Sequence, residues 1–146
     1  MSTLRNFLQE EGFERIPLKK LKTGHYKFAF SVNHIKGEFI VDTGASTSCI
    51  GFREIEFFKL LSEESEIKAA GAGAINMETK IAHGNTLKVG KMLLMRWAFV
   101  LFDLSHVNEA LAQVGEAPVQ GIFGADLLKK LHAVIDYSRN CMYLKK

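Results

Sequence analysis

Apolar residues in this chain come in short runs, and each run is soon stopped by a turn signal. Tyr26, Phe28, Phe30 and Val32 alternate with smaller or polar residues, the period of a strand that buries one face. Residues 33–37 read as a hairpin connection, leading into a short apolar strand over residues 38–42. Residues 86–89 and 92–102 flank Gly90-Lys91 as a second hairpin. Residues 134–137 and 141–144 flank Ser138-Arg139-Asn140 as a third. Helical spacing is confined to short stretches. Ile55, Phe58 and Leu61 recur at intervals of three within residues 54–61, and further helices are expected at 105–113, capped by Ser105, and at 125–131. Residues 120–124 are a buried strand or a turn. Nothing alternates strand with long helix as a parallel α/β sheet requires, so the fold class is mainly β with two or three short helices.

A chain of 146 residues suits one domain, and 47% hydrophobic with 24% charged residues is enough for a packed core. Residues 1–13 form an N-terminal arm or short helix, with Phe7, Leu8 and Phe13 as bulky anchors, and residues 14–146 form the domain. The net charge of +3 comes from scattered lysines and arginines, which argues against a nucleic-acid surface. The N-terminus carries acids and lacks the continuous apolar stretch of a signal peptide. The longest apolar region is broken by Arg96 and Asp103, so no membrane span is expected and a cytoplasmic location is.

The pattern richest in chemistry is Phe39-Ile40-Val41-Asp42-Thr43-Gly44-Ala45-Ser46. It places an acid where an apolar strand meets a loop of small residues. Burial there disfavours the charged carboxylate, and Thr43 and Ser46 offer hydroxyl donors. Gly44 lets another backbone approach closely. Two readings of Asp42 follow from the residues alone: an acid placed for proton transfer, or an Asx-turn aspartate that only organises the loop.

Other chemistries fit less well. His25, His34, His83, His106 and His132 show no ligand spacing with one another or with acids, so no metal and no cofactor is expected. Cys49 and Cys141 read as packed thiols rather than a disulfide or a nucleophile. Ser46 and Ser48 lack the Gly-x-Ser-x-Gly setting of a serine hydrolase. Gly71-Ala72-Gly73 lacks the lysine and the remaining glycine of a phosphate loop. Asp103 is not expected to be a second acid. Asp126 reads as a charge at a helix N-terminus rather than a brace for the loop, and Asp136 as a turn residue.

The run Asp42-Thr43-Gly44-Ala45-Ser46 resembles the active-site loop of the clan AA aspartic peptidases, the pepsin and retropepsin group. Two further elements of that group have counterparts in the same order. Ile122-Phe123-Gly124, followed by Ala125-Asp126-Leu127-Leu128, is similar to the apolar-apolar-glycine element that braces the loop. Gly71-Ala72-Gly73-Ala74 is similar to a flap hairpin. The stretch from Gly121 through Tyr137 resembles bacterial retropepsin-like proteins in particular. The resemblance implies a closed or partly closed acid-protease β-barrel. It implies Asp42 as the catalytic acid, Thr43 bonding across a dimer axis, Gly44 admitting substrate backbone, and a flap closing over an extended peptide. The chain has a single Asp-Thr-Gly and is too short for two lobes, so the implied enzyme is a homodimer acting on a peptide or protein substrate. The C-terminal strand over residues 141–144 is then a candidate for the inter-subunit sheet. The alternative is a catalytically silent domain of the same fold, serving as a dimerisation or peptide-binding module.

Overall fold

The computed structural model describes residues 3–64, 69–71 and 74–146. In chain order these form α1 (Leu4–Glu10), β1 (Glu14–Pro17), β2 (Lys19–Lys20), β3 (Tyr26–Val32), β4 (Ile35–Val41), β5 (Cys49–Gly51) and β6 (Ser62–Glu64). After these come β7 (Ala69–Gly71), β8 (Ala74–Met77), β9 (Lys80–Val89), β10 (Met92–Phe102) and α2 (Ser105–Gln113). The chain ends with β11 (Gly121–Phe123), α3 (Ala125–Lys130), β12 (Val134–Asp136) and β13 (Cys141–Leu144).

Six strands close a barrel in the order β3-β4-β11-β5-β10-β9, with β9 returning to β3 through the pairs Ser31↔Lys88 and Val32↔Leu87. β2 and β6 extend it as edge strands on β3 and β9. Two of the ladders are parallel, β4 with β11 and β5 with β10. Closure leaves the six barrel strands no unpaired edge except where a strand outruns its neighbour. The alternating aromatics of β3 do what their period implies. Phe28 and Phe30 are buried and meet Phe123 edge-on at 5.0 and 5.6 Å. Phe30 stacks on Phe39 at 4.0 Å, and Phe39 contacts Phe99. Burying rings of this size stabilises the fold by roughly 1.5–3 kcal/mol each, so strands from both halves of the sequence are tied together at the barrel centre.

The turn before β4 is shorter than residues 33–37. Asn33 and His34 both adopt left-handed φ, at 51° and 70°, and Ile35 already belongs to β4. A two-residue turn with both φ positive matches the twist of the strands it joins. The helix expected over residues 54–61 is a short 3-10 turn, Phe52–Glu54, followed by irregular turns. Lys59 takes φ 56°, which ends any helical run. Phe58 packs its ring over Gly37, in space a side chain there would fill, while Leu61 is left 81% exposed. The three-residue spacing therefore did not mark one buried face. Ser105 does not cap α2 with its own oxygen. Asp103 accepts from the Ser105 N–H at 2.9 Å and from its hydroxyl.

A separate three-stranded sheet, β1-β13-β12, gathers both ends of the chain. β13 is its central strand, paired with β1 on one side and β12 on the other. This corrects the expectation for residues 141–144: a strand with both edges occupied has none to offer a second subunit. α1 covers this sheet, where Leu8 is buried with Cys141 and Tyr143. Both cysteines are buried free thiols. None of the described helices is long and apolar enough to cross a membrane.

Candidate active site

β4 runs beside β11 in register, Phe39↔Gly121, Ile40↔Ile122 and Val41↔Phe123. The ladder continues one step past the strand, where the Asp42 N–H donates to the Phe123 carbonyl at 3.0 Å. Asp42 is thus fixed at the point where β4 leaves the barrel, and its side chain is half-buried. One carboxylate oxygen accepts from the Gly44 N–H at 2.9 Å, and the Asp42 carbonyl accepts from Ala45 N–H at 3.2 Å. The Asx-turn geometry of the second reading is present, and it places the carboxyl at the cavity rather than away from it.

The loop is braced from behind. Gly124 lies so close that a Cβ on it would stand 2.7 Å from the Ala45 carbonyl and 3.1 Å from the backbone of Thr47. The Ala125 N–H donates to the Ala45 carbonyl at 2.7 Å. The Gly124 N–H donates to Ser48 Oγ at 2.8 Å, and that hydroxyl donates to Asp126 Oδ1 at 2.6 Å. Asp126 Oδ1 also accepts from the backbone N–H groups of Ser48, at 2.9 Å, and Leu127, at 2.7 Å. Asp126 therefore does both things weighed for it: it serves the first turn of α3 and braces the loop, and the brace holds two of its three bonds. Ser48 is fully buried and links the two segments, a role its sequence context did not signal.

The six residues of the Asp-Thr-Gly loop and the Ile-Phe-Gly element that were singled out in sequence are thus brought together, with Ile122 and Phe123 in the ladder and Gly124 against the loop. Thr43, Gly44 and Ser46 are exposed, and Ala45 is half-buried. Among the described residues nothing bonds the Thr43 hydroxyl. Gly71 and Ala74 face each other at the closed end of the β7–β8 hairpin, a two-stranded sheet of its own. Ala72 and Gly73, between them, lie outside the described residues.

A cavity of about 450 Å³ opens at Asp42. Its wall is formed by Val41, Thr43, Leu18 and the loop residues Gly24 and His25, with Tyr26, Ile135 and Tyr137. Tyr26 and Tyr137 lie with ring centroids 5.2 Å apart. His25 Nδ1 is held by Thr23 Oγ1 at 2.7 Å. This is a mostly apolar hollow with one acid at its margin, suited to an uncharged side chain beside a group that can exchange a proton. Cys49 is not a rival nucleophile: burial pushes its thiol far above the ordinary range, keeping it protonated. Among the described residues no group of acids, histidines and cysteines is arranged to hold a metal ion.

Three solved structures share this architecture. A retropepsin-like aspartic protease from Rickettsia conorii superposes with a TM-score of 0.58 at 18% identity, covering 90% of this chain and 91% of its own. The EIAV protease complexed with the inhibitor HBY-793 gives 0.55 at 21% identity, over 75% of this chain and 90% of its own. The retroviral protease-like domain of Ddi1 from Leishmania major gives 0.52 at 18% identity, over 81% and 86%. At these identities the likeness is one of fold, and it establishes the barrel as retropepsin-like. No curated protein matches by sequence. A family model for aspartyl proteases, however, matches residues 28–127, which include both the Asp42 loop and its brace, and the chain belongs to that family.

Proposed function

We propose that this protein is an aspartic endopeptidase that cleaves extended polypeptides as a homodimer, with Asp42 and Asp42 of a second copy as its catalytic pair. The observation that carries the reading is Asp42 itself: a carboxyl clamped at a strand end, holding a single intraloop hydrogen bond and facing an apolar cavity. Two carboxylates about 3 Å apart cannot both ionise cheaply and so share one proton. The ionised member takes a proton from a water held between them, and that water attacks the scissile carbonyl carbon. The protonated member donates to the carbonyl oxygen, and the roles reverse as the amine leaves. The titration belongs to the pair. Thr43 hydrogen-bonds across the twofold axis, Gly44 admits substrate backbone, and the hairpin carrying Gly71, Ala72, Gly73 and Ala74 closes over a substrate bound as an added strand.

The test is cleavage of a peptide library between about pH 4 and about pH 7, comparing wild type with Asp42→Asn. The reading expects cleavage by wild type alone. Equal cleavage by both removes Asp42 from the mechanism. No cleavage by either, with tight peptide binding, replaces the enzyme with a binding module.

A further inference from the structure

Away from the Asp42 loop, a hollow of about 590 Å³ lies between β1 and the outer face of β3. β3 turns Phe28, Phe30 and Val32 into the barrel core, so Lys27 and Ala29 belong to its outer face. Lys27 is only 9% exposed, yet it lines the hollow. Among the described residues it has no hydrogen-bond or ion-pair partner. Ammonium groups buried to this degree are ordinarily paired. Lys19 stands directly across from Lys27 on β2 and lines the same hollow. Residues so opposed have their Cβ atoms about 5 Å apart, and like charges there repel. Arg15 brings a third cation to the wall.

The acids nearby do not cancel this charge. Glu14 is committed elsewhere: both its carboxylate oxygens accept from the Lys91 N–H, at 2.9 and 3.1 Å. Glu38 sits on β4 opposite Ala29, one diagonal step from Lys27, and no ion pair joins the two. A lysine that merely runs its stem along apolar surface delivers its head to open water, clear of other cations. Lys27 instead shares a walled space with two. We infer that this hollow is a binding site for a small organic anion, with a carboxylate or phosphate head on a short apolar body. The head bridges Lys27 and Lys19, with Arg15 beside them, and replaces their repulsion with charge-assisted hydrogen bonds. Pro17 and Ala29 offer apolar wall to the body, and Glu38 repels any second acid carried on it. A hollow of this volume is of the size that holds a small molecule.

The hollow is distinct from the Asp42 cavity in its chemistry but shares a wall with it. None of residues 42–46 lines it, while Leu18 lines both. Tyr26 lines the Asp42 cavity, and Lys27, next in the strand, lines this one. The anion site therefore stands whether or not Asp42 cleaves peptides, since a catalytically silent chain keeps the hollow and its cations.

Titration calorimetry of the full chain with phenyl phosphate and with phenylacetate, against benzyl alcohol as the uncharged control, tests it. At least one of the two anions is expected to bind with a Kd below about 1 mM, and benzyl alcohol is expected not to bind. Which anion binds more tightly separates a phosphate site from a carboxylate site. Lys27→Met keeps a packed stem and removes the charge, and is expected to weaken binding at least about tenfold. Lys19→Met, at an exposed position where folding is not at stake, is expected to weaken it by about threefold to tenfold. Lys130→Met, exposed on α3 and lining neither cavity, is expected to leave it unchanged. Without ligand, Lys27→Met is expected to unfold at or above the wild-type midpoint, because it removes an unpaired cation. Binding of neither anion overturns the site, as does binding that Lys27→Met and Lys19→Met both leave intact. A Lys27→Met chain that loses stability, with Lys19→Met binding as wild type does, makes Lys27 a structural residue and overturns the site as well.

Discussion

Two aspartates flank the loop between β4 and β5, one on each side, and the fold treats them in opposite ways. Asp126 Oδ1 accepts three hydrogen bonds, from the Ser48 hydroxyl and from the N–H groups of Ser48 and Leu127. Asp42 accepts one, from Gly44, among the described residues, and otherwise faces the cavity. A carboxylate surrounded by donors is a clamp. Asp126 Oδ1 is occupied in holding backbone and the Ser48 hydroxyl, and it has no acceptor capacity left for a water or a substrate. A carboxylate that keeps its lone pairs open is held in place by other means, here the ladder to Phe123 and the loop contacts of Gly124. The rigidity of Asp42 is supplied by its neighbours, so its own oxygens remain free for chemistry.

That division of labour can be broken at either side. Asp42→Asn should lower cleavage by at least about 10³-fold while leaving the unfolding midpoint nearly unchanged, because the amide oxygen can still accept from Gly44. A large loss of stability instead would make Asp42 a structural residue like its counterpart. Asp126→Ala should do the reverse and destabilise by about 2–4 kcal/mol, since the buried Ser48 hydroxyl and N–H lose their acceptor. Denaturant titration measures this, and a change below about 0.5 kcal/mol would mean the loop is held without the clamp. Ser48→Ala removes the link to Gly124 but leaves Asp126 its two backbone donors, and the expected cost is smaller, about 1–2 kcal/mol.

Asp103 calibrates the small end of the scale. It is almost fully exposed, and the Ser105 hydroxyl and N–H hold its carboxyl below the ordinary range. A carboxyl lowered on folding stabilises at pH above its unfolded pKa, and that stabilisation is lost as pH falls through the folded value. Asp103→Ala should therefore cost only about 0.5 kcal/mol at neutral pH after solvent screening, and the difference from wild type should vanish in acid. A difference that persists in acid would assign the effect to something other than the carboxylate.

What was legible in the sequence was local. The alternation in β3, the β9–β10 and β12–β13 hairpins, α2, α3 and the Asp42 loop each announce themselves within a few residues through period or turn chemistry. The clamp was not legible, because Ser48 and Asp126 are 78 residues apart and neither residue type signals a partner. The 54–61 segment was misread for a related reason. Phe58 is buried because Gly37, on another strand, leaves room for its ring, and a spacing of three arose without a helix. The central place of β13 likewise depends on pairing with β1 at the far end of the chain, which no local pattern encodes.

The insertion of β11 between β4 and β5 sets an order of events in synthesis. Residues 39–51 leave the ribosome well before residues 121–123, so until β11 arrives β4 has only β3 beside it and β5 only β10. Closing so long a loop carries its entropic cost before any contact repays it, which makes this pairing a late step. The Asp42 loop is therefore unbraced until residues 121–126 have been made, and a nascent chain that has not reached them carries the acid without the contacts that fix it in place.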